Sequence, residues 1–377
     1  MNISAFQACT NCGACSNLCP RDAITVEKDS MFYKPMVDES KCIHCGICSN
    51  RCPLNGKMEG YEPLYAYAGW HKLPQVVHNS SSGGAFHGLA EETIAHGGIV
   101  FGAAYTGDCR EVHFVSSDEA ELANLRKSKY VESLVGDSFQ QVRTALMSGR
   151  KVLFCGTPCQ VAGLYAFLGE RPQDLLTCDF ACGGLPSHRI YQDYLQELEQ
   201  KNGAHVAAVD FRPKTHGWRR YAEQICFKNG KTYNRLGTED PYLRSFLYGK
   251  YTVRNECLDC KFSDNHAADL TIADFWLNTR ISGRDNPDGV SLILCNTIKG
   301  KEAVVRIWDQ YEIWEVPVAE AAYNHKKTET AQEQKNKHTA FIRLCAEKGL
   351  SEACAQYLPI TAKKRLKNYL RRVFCKS

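Results

Sequence analysis

The sequence has no run approaching the roughly 20 consecutive apolar residues that a membrane-spanning helix requires, so a transmembrane role is excluded first. It also lacks a charged start leading into an apolar stretch. Met1 to Ala8 carries no charged side chain and Cys9 follows directly, so no secretory leader is read there and a cytoplasmic location is expected. No Gly-x-Gly-x-x-Gly follows a strand-like segment, which argues against a Rossmann dinucleotide domain. Acidic residues are missing from Pro359 to Ser377, where Lys363, Lys364, Arg365, Lys367, Arg371, Arg372 and Lys376 cluster. Removing these seven cations from the formal net charge of +4 leaves −3, so the basicity is local. Leu366, Tyr369, Leu370, Val373 and Phe374 recur among them at helical spacing. Such a helix docks on its own domain or makes a peripheral contact with an anionic membrane at the inner face. A terminal basic run without a recognised fold gives no basis for nucleic-acid binding.

Cysteine, by contrast, is abundant, with 20 in 377 residues. In a cytoplasmic chain, reductants oppose structural disulfides, so these thiols are expected to be kept for metal work. Cys9, Cys12, Cys15 and Cys19 followed by Pro20 spell C-x2-C-x2-C-x3-C-P, and Cys42, Cys45, Cys48 and Cys52 followed by Pro53 repeat it. Three cysteines at two-residue gaps curl a loop so that their sulfurs converge, and in two-cluster ferredoxins the fourth ligand comes from the other copy. Cys9, Cys12, Cys15 and Cys52 are therefore assigned to one 4Fe-4S cluster, and Cys42, Cys45, Cys48 and Cys19 to a second. A zinc site favours separated C-x2-C pairs, and a disulfide framework favours an exported chain. Between the two runs, Ala23 to Val26 and Lys34 to Val37 read as a small hairpin.

The length exceeds one ordinary domain, and 44% hydrophobic with 23% charged residues describes a globular protein with a sizeable core. The expected fold class is α+β or α/β: a two-cluster ferredoxin-like module over residues 1–58, a mixed α/β domain over 59–340, and a helical basic tail over 341–377. After a linker from Gly56 to Pro63, Leu64 to Trp70, Ile99 to Tyr105 and Val112 to Val115 read as strands. A helix running to about His96 opens at Ser80-Ser81-Ser82-Gly83-Gly84, a turn able to present N–H groups and hydroxyls to a phosphate, although Gly and Ser also dominate ordinary loops. Ser138 to Met147 reads as a helix, and Val152 to Cys155 as a buried strand entering Gly156-Thr157-Pro158-Cys159-Gln160, where Pro158 suits a first helical turn. Leu175 to Phe180 repeats the arrangement, ending in Cys182-Gly183-Gly184 before a helix from Ser187 to Lys201. Cys257-x-x-Cys260 precedes a strand from Leu270 to Ala273. Cys159 and Cys182 at strand ends plus the C-x-x-C pair sum to four ligands, for iron or for zinc. Cys109, Cys155, Cys178, Cys226, Cys295, Cys345, Cys354 and Cys375 read as small core residues.

Gly156 to Gln160, the stretch Asp179 to Ser187, Phe211-Arg212-x-Lys214 with Gly217-Trp218, Cys257-x-x-Cys260, and Asp269 to Trp276 together resemble the coenzyme F420 hydrogenase/dehydrogenase beta-subunit family, in a ferredoxin-fused form. The resemblance covers roughly residues 60 to 340. It implies FAD and a further 4Fe-4S cluster held by Cys159, Cys182, Cys257 and Cys260. Where the family often writes Cys-His-Gly, this chain has Cys182-Gly183-Gly184, so no histidine stands there. The resemblance also implies flavin contacts from Ser81, Ser82, Gly83 and Gly84, from Lys127, Ser128, Lys129 and Tyr130, and from the turn of Gly156, Thr157, Pro158 and Gln160. A lysine at such a place neutralises pyrophosphate or charge at a reduced ring. His188, His216 and Asp274 lie in family-like stretches and are the catalytic acid–base candidates, with structural hydrogen bonding as the competing role.

The resulting expectation is an iron–sulfur flavoprotein oxidoreductase. Electrons enter the N-terminal clusters from a ferredoxin-like donor, or leave to such an acceptor, and meet FAD, which trades them in pairs with a small-molecule substrate or with coenzyme F420 or NAD(P)H. The alternatives are an electron-transfer subunit without its own organic substrate, and an iron–sulfur redox sensor.

Overall fold

The computed structural model describes residue 3 and residues 8–56, 60–118, 122–321 and 331–360. The basic helix expected near the C-terminus and the expected junction at 58–59 lie outside the described residues. The strands in chain order are β1 (Ile24–Glu27), β2 (Lys34–Val37), β3 (Tyr65–His71), β4 (Ile99–Tyr105), β5 (Val112–Ser117), β6 (Val152–Cys155), β7 (Leu175–Phe180), β8 (Val206–Asp210), β9 (Ala222–Phe227), β10 (Thr232–Leu236), β11 (Leu270–Asp274), β12 (Ser291–Cys295) and β13 (Tyr311–Glu315).

β1 and β2 form the antiparallel hairpin between the cysteine runs, with Ile24 opposite Val37. Eight strands make the main sheet in the order β13-β3-β12-β11-β7-β6-β4-β5. β4, β6, β7 and β11 run parallel at its centre, and antiparallel strands extend it on both sides. The central strands are nearly continuous apolar runs because helices cover both faces. Val100, Leu153, Leu176 and Leu270 pack beneath helices Ala85–Ala95 and Ile298–Arg306. Phe101, Phe154 and Leu175 face helices Ser138–Met147 and Pro158–Leu168. Each such Leu or Phe side chain taken from water contributes on the order of 1.5–3 kcal/mol.

A second lobe has the antiparallel sheet β10-β9-β8 packed with helices His188–Asn202, Pro241–Leu247, Ala331–Lys348 and Leu350–Tyr357. The domain boundary expected after residue 340 falls inside helix Ala331–Lys348, because Phe341 and Cys345 are buried in this lobe beside Leu350, Ala353 and Cys354. Within the lobe, the Tyr194 hydroxyl lies 2.8 Å from Glu223 Oε2 and 2.7 Å from Asp240 Oδ2. One hydroxyl hydrogen cannot serve two carboxylates, so one acid keeps its proton. Asp240 also accepts from Leu243 N and the Tyr233 hydroxyl, which favour its anion. Burial, then the nearby Asp240 charge, hold the Glu223 carboxyl well above the usual range, and Glu223 is the acid that stays protonated.

The parallel strands end together at Tyr105, Cys155, Phe180 and Asp274, the edge where open α/β sheets gather ligands. No helix among the described residues is long and apolar enough to cross a membrane.

Candidate functional site

Two hollows lie in the N-terminal module. Cys9, Cys12, Cys15 and Cys52 line one of about 510 Å³, with Pro53 and Leu54 closing it. Cys19, Cys42, Cys45 and Cys48 line the other, of about 370 Å³, with Pro20 at its rim. Each hollow draws three cysteines from one copy of the motif and the last cysteine of the other. Short helices Ala14–Leu18 and Ile47–Asn50 each carry one of these cysteines, Cys15 and Cys48. Backbone N–H groups of Asn11 and Ala23 point at Cys9 Sγ and Cys19 Sγ, both at 3.3 Å, in the manner of donors to cluster thiolates. Burial, reinforced by neighbouring sulfurs, pushes the Cys12 thiol well up and Cys15 up to about 12. Packing potential anions this closely is costly unless a cation binds them, so the donor sets fit a metal cluster.

The first hollow sits at the junction with the large domain. Cys9 N donates to Glu256 Oε1 at 3.2 Å, and Arg254 Nε donates to the Cys9 carbonyl at 3.0 Å. Arg254 also donates to the Tyr33 carbonyl and to Glu132 Oε2 at 2.7 Å, both groups being buried.

At the carboxyl edge of the sheet, Cys159, Cys182, Cys257 and Cys260 converge. Cys159 lies in the first turn of helix Pro158–Leu168, whose start is locked by a capping box between Thr157 and Gln160. Cys182 follows β7, and Cys257 closes a short 3-10 turn, Asn255–Cys257. Leu185 N and Phe262 N donate to Cys257 and Cys260 sulfurs at 3.4 Å, and Thr157 Oγ1 lies 3.1 Å from Cys159 Sγ. Burial first, then mutual repulsion, raises Cys159 to about 11 and Cys182 to about 12. Cys12 of the first hollow packs on the same cluster of side chains as Cys159, Cys257 and Cys260. Cys155 and Cys178 instead face each other in register on β6 and β7.

Farther along the same edge the expected flavin residues divide. Ser81 Oγ lies 3.0 Å from Ser128 Oγ and accepts from Ser128 N at 2.9 Å, joining the two expected segments. Gly83 is wedged against the backbone of Gly69 and Ser291, and Ser82 Oγ donates to the Val290 carbonyl at 2.7 Å. Gly84 opens helix Ala85–Ala95. Lys127 pairs with Asp210 at 2.6 Å. Lys129 turns inward to the carbonyls of Asn124 and Arg126, both at 2.7 Å, and burial lowers it to about 7. Gln160 is spent on the capping box and on Ser133 Oγ at 3.0 Å. Gly156, Thr157, Pro158 and Gln160 thus build the start of the Cys159 helix.

Other residues complete that region. Arg212 donates to both oxygens of Asp274, at 2.8 and 3.2 Å, and to the Ser81 carbonyl at 3.0 Å. Asp274 further accepts from Trp218 Nε1 at 3.2 Å and the Tyr221 hydroxyl at 3.1 Å. Lys214 donates to the carbonyls of Val77 and Ser82, and among the described residues no carboxylate lies within ion-pair distance of it. Burial lowers Lys214 to about 8. Three cations, Lys127, Arg212 and Lys214, thus gather beside Asp210 and Asp274, with Asp288 acting on Lys214 from beyond ion-pair distance, and the N–H-rich side chains of Arg212 and Lys214 suit an anionic group. Arg212 and Lys214 were not among the expected site residues, although Phe211-Arg212-x-Lys214 is the motif that signals them.

The catalytic candidates do not assemble. His188 is buried, with Nδ1 2.7 Å from Glu132 Oε1, Nε2 2.9 Å from the Lys28 carbonyl, and its ring stacked on Tyr33 at 3.7 Å. Nε2 and the ring stacking tie the hairpin to the large domain, while Nδ1 is held by Glu132 of that domain. Asp274 is saturated by its donors. His216 is half-buried, with Nε2 3.2 Å from Asn234 Oδ1.

Residues 8–55 match the family model of a 4Fe-4S dicluster domain, and residues 149–321 match that of the C terminus of the coenzyme F420 hydrogenase/dehydrogenase beta subunit. Comparison with curated proteins finds no match. Among solved structures the chain is similar to a chain of the F420-reducing NiFe hydrogenase complex from Methanosarcina barkeri, at 16% identity and a TM-score of 0.48, over 77% of this chain and 92% of that one. A dicluster module joined to this mixed α/β domain defines an iron–sulfur electron-transfer protein of the oxidoreductase class. Residues 149–321, a little under half of the chain, are the part that resembles the coenzyme F420 hydrogenase/dehydrogenase beta-subunit family.

Proposed function

We propose that this chain is an iron–sulfur flavoprotein oxidoreductase that relays electrons between ferredoxin-type 4Fe-4S clusters and FAD, for two-electron reduction or oxidation of a substrate or of a deazaflavin or nicotinamide carrier. The observation that carries the reading is the contiguity of cysteine groups from the module to the sheet edge, with Cys12 packed beside Cys159, Cys257 and Cys260. Cys9, Cys12, Cys15 and Cys52 would hold one cluster, Cys19, Cys42, Cys45 and Cys48 the second, and Cys159, Cys182, Cys257 and Cys260 a third. Clusters supply one-electron chemistry, and flavin, when bound, supplies both one- and two-electron chemistry.

Around the flavin, Ser81, Ser128, Lys127, Arg212 and Lys214 would bind the anionic portion, while Asp274 fixes the Arg212 fork. His216 is the candidate for proton delivery, because its Nδ1 has no hydrogen-bond partner among the described residues, whereas His188 is occupied on both sides. A ferredoxin-like protein is the proposed exchange partner. A second reading, an electron-transfer subunit without its own organic substrate, is favoured by the family's description as a beta subunit. Saturable turnover of the isolated chain with ferredoxin and a substrate would count against that second reading.

Anaerobic purification with iron, acid-labile sulfide and flavin analysis tests the proposal. Twelve irons and one FAD per chain are expected. Eight irons with zinc would demote the third site, iron without flavin would leave a sensor, and colourless protein would end the reading. Lys214 gives a pH test. Its folded value of about 8 lies below the usual 10.5, so it is cationic below that pH and flavin affinity falls as pH rises through about 8. Stability of the flavin-free fold moves oppositely, rising from pH 8 to 10.5 as the unfolded chain retains the proton longer. Lys214→Met should flatten both dependences in titrations of flavin fluorescence and of thermal melting.

A further inference from the structure

Helix Pro158–Leu168 carries a glycine in its interior, where glycine is among the poorest helix formers. Gly163 stands four residues after Cys159 and therefore on the same helical face. A Cβ built on Gly163 would lie 2.8 Å from the Cys12 carbonyl oxygen, 3.0 Å from Cys12 Cβ and 3.1 Å from Cys12 Sγ. No side chain fits without driving the first cysteine loop off the helix. The opposite side of that loop is equally tight. Gly13 has φ +82°, and a Cβ there would lie 2.7 Å from Val135 Cβ. Polar pins hold both partners to one residue: Asn11 Nδ2 donates to the Ser133 carbonyl at 3.2 Å, and Gln160 Nε2 donates to Ser133 Oγ at 3.0 Å.

We propose that Gly163 is a positioning residue that sets the separation between the centre held by Cys9, Cys12, Cys15 and Cys52 and the centre held by Cys159, Cys182, Cys257 and Cys260, bringing them close enough for direct electron exchange. The inference rests on reading both cysteine sets as 4Fe-4S sites. In the exchange, the electron lost by one centre is gained by the other, and no bond or proton changes. The neighbouring sulfurs cannot take over this role, because the missing Cβ lies on the loop backbone as well as on Cys12 Sγ.

The test uses the full chain, purified anaerobically and reduced with dithionite, with metal analysis and electron paramagnetic resonance on the wild type, Gly163→Ala and Gly163→Val. Wild type should hold twelve irons and show broadened, split signals from spin coupling between adjacent reduced centres. Gly163→Ala should keep its iron and lose part of that splitting, because dipolar coupling falls with the inverse cube of separation. Gly163→Val should lose more of it, or release four irons as Cys12 is forced away. A purely structural role would not move the splitting at unchanged iron content. Full iron with wild-type splitting in both variants would overturn the proposal. Failure of the underlying reading is seen separately, as fewer than twelve irons or stoichiometric zinc in the wild type, and it overturns the proposal as well.

Discussion

The two copies of the cysteine motif use the same spacing, yet their surroundings are opposite. Around the first hollow, Arg254, Glu256 and Glu132 converge on the loop, and helix Pro158–Leu168 covers Cys12. Around the second, Cys45 is itself exposed, and Met36, Ile43 and Ile47 are 50%, 59% and 38% exposed. The repeated phrase specifies how sulfurs are offered to a metal, while the neighbours decide potential, solvent access and whom each centre can reach. The enclosed hollow is the internal relay and the open one is the port in the proposed scheme.

The strongest way to break this comparison is to dismantle the junction. Glu132→Ala removes the carboxylate that the buried Arg254 and His188 share, and losing one partner of such a pair costs about 3–5 kcal/mol. Urea denaturation monitored by far-ultraviolet circular dichroism should show that loss, with the hairpin and first hollow destabilised together. The contrast is sharpened by slow chelation in air. Four irons should leave early, from the open hollow, and the rest much later; uniform loss of all iron would erase the distinction. The smallest expected effect is on the port itself. Ile43→Ser and Ile47→Ser should change stability by no more than about 0.5 kcal/mol, as exposed positions usually do, while weakening reduction by a ferredoxin-like donor in stopped-flow kinetics.

The sequence disclosed the parts of this molecule whose signals are local. Cysteine spacing announced both hollows, and apolar runs such as Val152 to Phe154, stopped by glycines, announced the parallel strands. The three-stranded sheet went unread because β8, Val206–Asp210, has no clean alternation: Ala207 and Ala208 are exposed and small. The socket around Cys9 and Cys12 was invisible for another reason. Glu132 and Arg254 come together across more than a hundred residues of chain, and no spacing rule links them. Lys129 illustrates the limit of a motif: its neighbour Lys127 faces the site, while its own ammonium is consumed by the carbonyls of its loop. The expected boundary at 340 lies within helix Ala331–Lys348, where the buried Phe341 and Cys345 are spaced among polar residues and form no apolar run.

The Tyr194 hydroxyl shared between two acids has a bearing on how the protein responds to acidity. An acid that keeps its proton only when folded ties up one hydrogen ion that the unfolded chain would release above its ordinary value of 4.5. The β8–β10 lobe therefore gives up some of its resilience as the medium is made more alkaline from that point, and mildly acidic conditions suit it better than the formal count of charges would suggest.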